Sequence, residues 1–174
     1  MIILVGASAS GKTEIANILI KKYGYEKMVT ATTRPMRVNE VNKVDYFFLT
    51  EEEFKAKGKN KEFLETIEYN GYHYGSIKKE VKPKRVIILE PNGVNTFYKI
   101  IPNEVTIFYI TASKDTRIKR MMERGDTEET IAKRLALDEE HFSALKLDHI
   151  DYKIVNENKS LEVAALEVLR LYER

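Results

Sequence analysis

The sequence predicts a three-layer α/β domain in which a central parallel sheet is covered by helices on both faces. Three observations lead to this fold class. A phosphate-binding loop joins the first strand to the first helix, strands alternate with helices along most of the chain, and 43% of the 174 residues are hydrophobic, enough for one core. We therefore expect a single domain with a core at about 1–30 and 85–174, a small antiparallel insertion at about 31–84, and a lid at about 121–134.

The first strand, at 2–5, is an unbroken apolar run typical of the centre of a parallel sheet, and it leads into the sequence GASASGKT. This sequence matches the phosphate-loop pattern G-x-x-x-x-G-K-[ST], and a helix at 12–23, closed by Gly24, follows it. Loop N–H groups and the helix N-terminus attract phosphate, the lysine reaches the outer phosphates, and the threonine hydroxyl holds Mg²⁺. The predicted phosphate site consists of Gly6, Ala7, Ser8, Ala9, Ser10, Gly11, Lys12 and Thr13, with Thr13 as the metal ligand. The loop alone leaves open an ATPase, a GTPase or a small-molecule kinase.

The remaining elements continue the alternation. Strands are predicted at 27–30, 85–90, 105–110 and 152–155, and helices at 94–101, 114–123, 128–147 and 161–173. In the insertion, a β-prone run at 45–49 precedes a short helix with a Thr50 and Glu53 capping box, and a run at 63–69 leads to the hairpin turn signal Asn70-Gly71. Because ligands of open parallel sheets bind outside the carboxyl ends of the strands, an insertion there suits a second substrate.

Composition excludes several other classes. The net charge is +2, from 29 Lys and Arg against 27 Asp and Glu, so no overall field favours nucleic acid or membranes. There is no cysteine, and the three histidines are scattered, which argues against a clustered metal site. No apolar run approaches the ~20 residues that span a bilayer, and the first strand leaves no room for a signal peptide. We therefore expect a cytoplasmic protein.

A second anion site is indicated by the sequence TTRPMR, in which Arg34 and Arg37 flank a bend fixed by proline. Arginine binds phosphate oxygens bidentately, and the hydroxyls of Thr30, Tyr46 and Tyr74 can complete the shell. In isolation, a solvated charged loop would explain these arginines equally well. Beside the phosphate loop, however, two anion sites are what phosphoryl transfer between nucleotides requires.

Over nearly its whole length the chain resembles the guanylate kinase family of nucleoside-monophosphate kinases. The resemblance rests on the order and spacing of GASASGKT, TTRPMRVNE with DYFF, FLETIEYNGYHYGS, ILEPNGV, IKRMMERGDTEETIAKRL and IDYKIVNEN. It implies a P-loop kinase fold whose insertion binds a monophosphate. It also implies transfer of the γ-phosphoryl group of ATP to GMP with Mg²⁺. We expect a monomer or a homodimer whose partners are these nucleotides, without a nucleic-acid or membrane partner.

The resemblance also implies roles for individual residues. The residues implied to bind the GMP phosphate are Arg34, Arg37, Tyr46 and Tyr74, and those implied to bind guanine are Glu65, Glu90, Thr30 and Ser76. A carboxylate accepts from both N1–H and the N2 amine of guanine, a donor pair that adenine lacks. The lid arginines would be Arg120, Arg124 and Arg134, acting with Lys12 and Arg34 on the transferred charge, and Asn156 would lie beside adenine. Without the resemblance, the lid arginines could equally be a solvated helix surface.

Several positions depart from the family pattern. The family usually has proline and glycine where this chain has Ala7 and Ala9, and glycine where it has Asn39 and Lys43. Ile88 stands where the family often has the first acid of a D-x-D strand ending, and Thr30 replaces serine. These changes bear on acceptor preference more than on the reaction. The alternatives are another acceptor such as dGMP, or a non-catalytic guanylate-kinase-like module that binds phosphopeptides, against which the intact loop argues.

Overall fold

The computed structural model describes residues 1–69, 71–142 and 147–174 of the chain. Its strands are β1 (Ile2–Val5), β2 (Glu26–Lys27), β3 (Ala31–Thr32), β4 (Phe47–Phe48), β5 (Phe63–Tyr69), β6 (Tyr72–Ile77), β7 (Arg85–Ile88), β8 (Thr106–Thr111) and β9 (Tyr152–Val155). Its helices are α1 (Lys12–Tyr23), α2 (Glu51–Lys59), α3 (Pro91–Ile100), α4 (Lys114–Glu123), α5 (Glu128–His141) and α6 (Leu161–Tyr172). Within these described ranges, no helix combines the length and the apolar character needed to cross a membrane.

The core is a five-stranded parallel sheet in the order β2-β7-β1-β8-β9, which confirms the predicted fold class. The central strand β1 is fully buried, and its alternate residues serve opposite faces because side chains alternate along a strand. Ile2 and Leu4 pack with α1 and α6, whereas Ile3 and Val5 pack with α3. The loop that follows β1 therefore rises from the middle of the sheet, at its carboxyl edge.

The insertion forms a second sheet in the order β4-β3-β6-β5. β5 and β6 form the expected antiparallel hairpin, and β3 pairs antiparallel with β6. β3 and β4 are parallel, however, so the sheet is mixed where an antiparallel one was expected. The capping box of α2 is present, with Thr50 and Glu53 each accepting the other's backbone N–H. Of the predicted hairpin turn, Asn70 lies outside the described residues, and Gly71 has a φ of +75°.

Several element boundaries differ from the sequence prediction. β2 covers only Glu26–Lys27, because the chain then leaves the core and enters the second sheet at β3. β7 ends at Ile88, and α3 begins at Pro91 rather than at residue 94, since a proline ring presets the backbone of a first helical turn. α5 ends at His141, and the predicted extension to 147 falls partly on residues 143–146, which lie outside the described residues.

Candidate active site

The phosphate loop requires glycine at two positions because the backbone passes very close to other segments. A Cβ on Gly6, where φ is +151°, would lie 2.1 Å from the carbonyl oxygen of Ile110. A Cβ on Gly11, where φ is +102°, would lie 2.3 Å from Nδ2 of Asn156. Side chains at these positions would clash and would strain the backbone. The two motif glycines therefore allow the loop to lie tightly against β8 and the end of β9.

Lys12 folds back over the loop that precedes it. Its Nζ donates to the carbonyl oxygens of Gly6 at 2.6 Å and Ala7 at 2.9 Å. Burial lowers the pKa of the Lys12 ammonium, although Glu90 and Asp138 oppose this shift through their negative charge. Lys12 is thus a partly desolvated cation at the loop, for which a phosphate oxygen is a favourable partner.

Arg120 and Asn156 fix the second half of the loop through its carbonyl groups. Arg120 Nη1 donates to the carbonyls of Ala9 at 3.2 Å and Ser10 at 3.4 Å, while Asn156 Nδ2 donates to the Ser10 carbonyl at 2.9 Å. Because C=O and the following N–H of a trans peptide point in opposite directions, this contact turns the N–H of Gly11 to the other side. Asn156 is fully buried, so its side chain supports the loop, and its contact with adenine stays a prediction.

The predicted lid is a short turn between two helices. It contains Gly125 with a φ of +88°. On the preceding helix, α4, Met121 is fully buried and anchors the start of the predicted lid. The Arg124 guanidinium donates to Asp126, and this bond raises the pKa of Arg124 and lowers that of Asp126. Arg134 is half-buried on α5, and its charge also contributes to the lowered pKa of Asp126. Of the three predicted lid arginines, Arg124 therefore pairs with Asp126, Arg134 affects the same carboxylate through its charge, and Arg120 contacts the loop.

A cavity of about 460 Å³ lies between α1, β7 and the second sheet. Five of the residues predicted to bind the acceptor line it together: Thr30, Tyr46, Glu65, Tyr74 and Ser76. Ser76 is buried, and its Oγ donates to Glu65 Oε1 at 2.6 Å, which fixes the direction of the carboxylate. The structure thus places a carboxylate, hydroxyls and phenols around one mainly apolar cavity, the composition typical of a small-molecule site.

Arg34 lies beside this cavity in a position set by its neighbours. It is only 9% exposed, its Nη2 donates to Glu40 Oε1 at 2.7 Å, and its guanidinium carbon lies 5.6 Å from the ring centre of Tyr46. The Arg34 guanidinium, together with the backbone N–H of Arg37, lowers the pKa of Glu40. Sequence reasoning identified both arginines but missed Glu40, which holds one of them. The Arg37 side chain is exposed.

Glu90 and Ile88 differ in their relation to the cavity. Glu90 precedes α3, its side chain is 68% exposed, and it lies outside the cavity lining, near Lys12 and 3.7 Å from Nδ1 of His141. Ile88 does line the cavity. Of the two carboxylates that the resemblance implied for guanine, the structure brings Glu65 to the cavity and leaves Glu90 near the phosphate loop.

Asp138 and Arg117 contact the loop but were missed by sequence reasoning. Asp138 Oδ1 accepts from the backbone N–H of Ser8 at 3.0 Å, and Asp138 Oδ2 accepts from Arg117 Nη1 at 2.6 Å. A sequence signal was present, because Asp138 continues the apolar helical stripe of Ile131 and Leu135 at the spacing of one helix face. In the structure Asp138 is indeed buried on α5. A carboxylate on such a stripe needs a buried partner.

Comparisons with known proteins point to one family. The sequence model of the guanylate kinase family matches residues 1–173. The chain is 30% identical over 183 aligned positions to the guanylate kinase of Hyphomonas neptunium, covering 100% of this chain and 83% of that protein. It is 36% identical over 141 positions to the guanylate kinase of Fusobacterium nucleatum, covering 76% of each chain. The crystal structure of guanylate kinase from Anaplasma phagocytophilum shares the fold, with a TM-score of 0.62 at 23% identity, covering 99% of this chain and 84% of that one.

Proposed function

The chain belongs to the guanylate kinase family of ATP:GMP phosphotransferases, and on that premise we propose which of its residues bind each nucleotide and carry out the transfer. One observation carries the proposal. Thr13 is the last residue of the phosphate loop and also lines the 460 Å³ cavity. A phosphate held by the loop and an acceptor held in the cavity are therefore neighbours, the arrangement that direct transfer between two nucleotides requires.

The acceptor GMP occupies the cavity in this proposal. Arg34, Arg37, Tyr46 and Tyr74 hold its phosphate, and the contact between Arg34 and Glu40 keeps the guanidinium oriented before the acceptor arrives. The oriented Arg34 loses little rotamer entropy on binding.

Guanine is read by Glu65 in the proposed complex, with Thr30 and Ser76 beside the base. The bond from Ser76 to Oε1 of Glu65 holds the carboxylate in place, and the acceptor sites that remain on its two oxygens can accept from N1–H and the N2 amine of guanine. Adenine presents no such donor pair and would leave the carboxylate unpaired in a closed site, which is costly.

Transfer proceeds in line without a covalent enzyme intermediate. Lys12 and Arg120 lie at the loop, where positive charge stabilises the negative charge of the transferred phosphoryl group. We propose that Arg124 and Arg134 add further positive charge beside the transferred group when the lid turn approaches the triphosphate, and that this approach excludes water. Arg124 would then exchange its bond with Asp126 for phosphate oxygens.

The donor set at the loop fits Mg²⁺, which takes most of its ligands from phosphates and water and needs few from the protein. Thr13 is exposed at the start of α1 and offers one hydroxyl, and the exposed Glu90 carboxylate lies near Lys12. When bound, Mg²⁺ neutralises charge on the β- and γ-phosphates. We propose Thr13 as its protein ligand.

The test is ADP formation with ATP and Mg²⁺ against GMP, dGMP, AMP, CMP and UMP. We expect turnover with GMP and with dGMP, because both carry the base that Glu65 is proposed to bind. Preference for AMP or a pyrimidine nucleotide would contradict the base assignment, and no turnover with any monophosphate would contradict the function.

The role of Glu65 is tested by Glu65→Gln, with Glu68→Gln on the same strand as the matched control. We expect Glu65→Gln to lower kcat/KM for GMP by about 10- to 100-fold, since a charged acceptor for two guanine donors is lost. Glu68 is exposed, outside the cavity lining, and its variant should keep wild-type kinetics. Equal kinetics in the two variants would remove Glu65 from base recognition.

A further inference from the structure

Asp138 and Arg117 form a buried ion pair that also holds the tip of the phosphate loop. The Asp138 carboxylate accepts from the Ser8 backbone N–H at 3.0 and 3.1 Å and from Ser8 Oγ at 3.1 Å. Arg117 Nη1 donates to Asp138 Oδ2 at 2.6 Å and to the Ser8 carbonyl at 3.4 Å. Only 10% of the Asp138 side chain and 12% of the Arg117 side chain are exposed. All three polar groups of Ser8 are therefore bonded to one ion pair.

Stability alone is a weak reason for such a pair. Removing two charges from water is costly, and an apolar pair of similar volume is often at least as stable. Here each partner also forms bonds that an apolar pair could not form, all of them to Ser8. The pair therefore determines the position of the loop tip.

The two partners come from the helices on either side of the lid turn. Arg117 lies on α4, which leads into the turn, and Asp138 lies on α5, which leads out of it. From the same α4, Arg120 contacts the carbonyls of Ala9 and Ser10, so the loop is bonded to α4 at both its tip and its second half. A change in the position of α4 or α5 therefore acts directly on the loop.

We propose that Asp138 and Arg117 are positioning residues that hold the phosphate loop in the shape that binds ATP. The inference rests on the proposed function of the loop as the ATP site. It assigns a binding role to an ion pair that does not itself contact the nucleotide. It also predicts an effect mainly on ATP, because neither the pair nor Ser8 lines the acceptor cavity.

The experiment compares MgATP binding by calorimetry, and KM for ATP and for GMP, in Asp138→Asn and in the double variant Arg117→Met with Asp138→Leu. Lys114→Met with Glu139→Leu is the matched control, because this exposed pair joins the same two helices at 3.1 Å and neither partner has a hydrogen bond to the loop among the described residues. Asp138→Asn should melt at a lower temperature, since it leaves Arg117 buried without its counter-charge. The double variant should recover the melting temperature.

Both Asp138 variants should bind MgATP about tenfold more weakly, with KM for GMP unchanged, because charged hydrogen bonds that hold the loop are lost. The control should bind MgATP as the wild type does. A double variant with recovered melting temperature and wild-type ATP affinity would overturn the proposal, because the pair would then be structural only. A wild type that binds MgATP but phosphorylates no monophosphate would reject the proposed function and leave this comparison valid, whereas a wild type that does not bind MgATP would reject both.

Discussion

Replacing Lys43 by glycine is expected to stabilise the protein without changing its kinetics. Lys43 has a φ of +68°, in the left-handed region, and its side chain is exposed. Its backbone N–H donates to the carbonyl of Tyr46 at 2.7 Å, a bond that glycine keeps. The substitution therefore removes backbone strain and loses no buried contact.

The magnitude follows from two opposing terms. A left-handed backbone costs a residue with a Cβ about 1–2 kcal/mol, and glycine relieves this cost. Glycine in turn loses more conformational entropy on folding, about 0.4–1 kcal/mol. The net gain should be about 0.5–1 kcal/mol in the free energy of unfolding, or about 2 °C in melting temperature for a chain of this length.

Calorimetric melting, with kcat and KM for GMP, measures both parts of this prediction. Asn39→Gly is one control, because asparagine tolerates its φ of +70° and little should change. Lys59→Gly, in the last turn of α2, is the second control. Because glycine is unfavourable within a helix, this variant should lower the free energy of unfolding by up to about 1 kcal/mol. A lower melting temperature for Lys43→Gly would refute the reasoning, and a raised KM for GMP would show that the lysine side chain orders Tyr46.

Three further predictions follow from single contacts. Gly11→Ala should lower the free energy of unfolding, measured by thermal melting, by more than about 2 kcal/mol, because its Cβ would lie 2.3 Å from Asn156 Nδ2. Gly24→Ala is the control: it has a φ of +69° but open space around it, and it should lower the same free energy by only about 1 kcal/mol. Equal losses in the two variants would contradict the clash. Glu40→Gln should raise KM for GMP severalfold and leave KM for ATP unchanged, because the ionic contact that orients Arg34 is weakened; a parallel rise in both constants would argue against it. Burial raises the pKa of Tyr25 to about 12, above its unfolded value near 10, so the unfolded state loses this proton first and stability should fall as the pH rises from 10 to 12. Between pH 10 and 12 the melting temperature of Tyr25→Phe should fall less steeply than that of the wild type. Parallel curves would show that ionisation of Tyr25 does not cause the loss of stability.

The parts of the fold that depend on local patterns could be predicted from the sequence. The apolar run of β1, the glycines of the loop and the caps of α2 and α4 are each encoded within a few residues. The end of β7 was misplaced, because the apolar composition continues through Leu89 while Pro91 already begins the next helix. That shift left Glu90 outside the cavity for which it was predicted.

Contacts between distant residues could not be predicted in this way. Ser8 and Asp138 are separated by 130 positions, and no local pattern records that α5 reaches the loop. Asn156 follows β9, and its burial depends on the absence of a side chain at Gly11. The buried partner of a polar residue depends on tertiary packing, which is why the loop's supports became visible only in three dimensions.

The central position of β1 has a consequence for how the protein folds. Both of its neighbours in the sheet, β7 and β8, lie more than 80 residues later in the sequence. Closing such long segments is entropically costly and slow, so pairing of this kind delays folding. During synthesis, β1 and the loop that follows it have no core strand beside them until β7 has emerged. β1 is therefore among the last segments to reach its final structure, although it precedes both of its neighbours in the sequence.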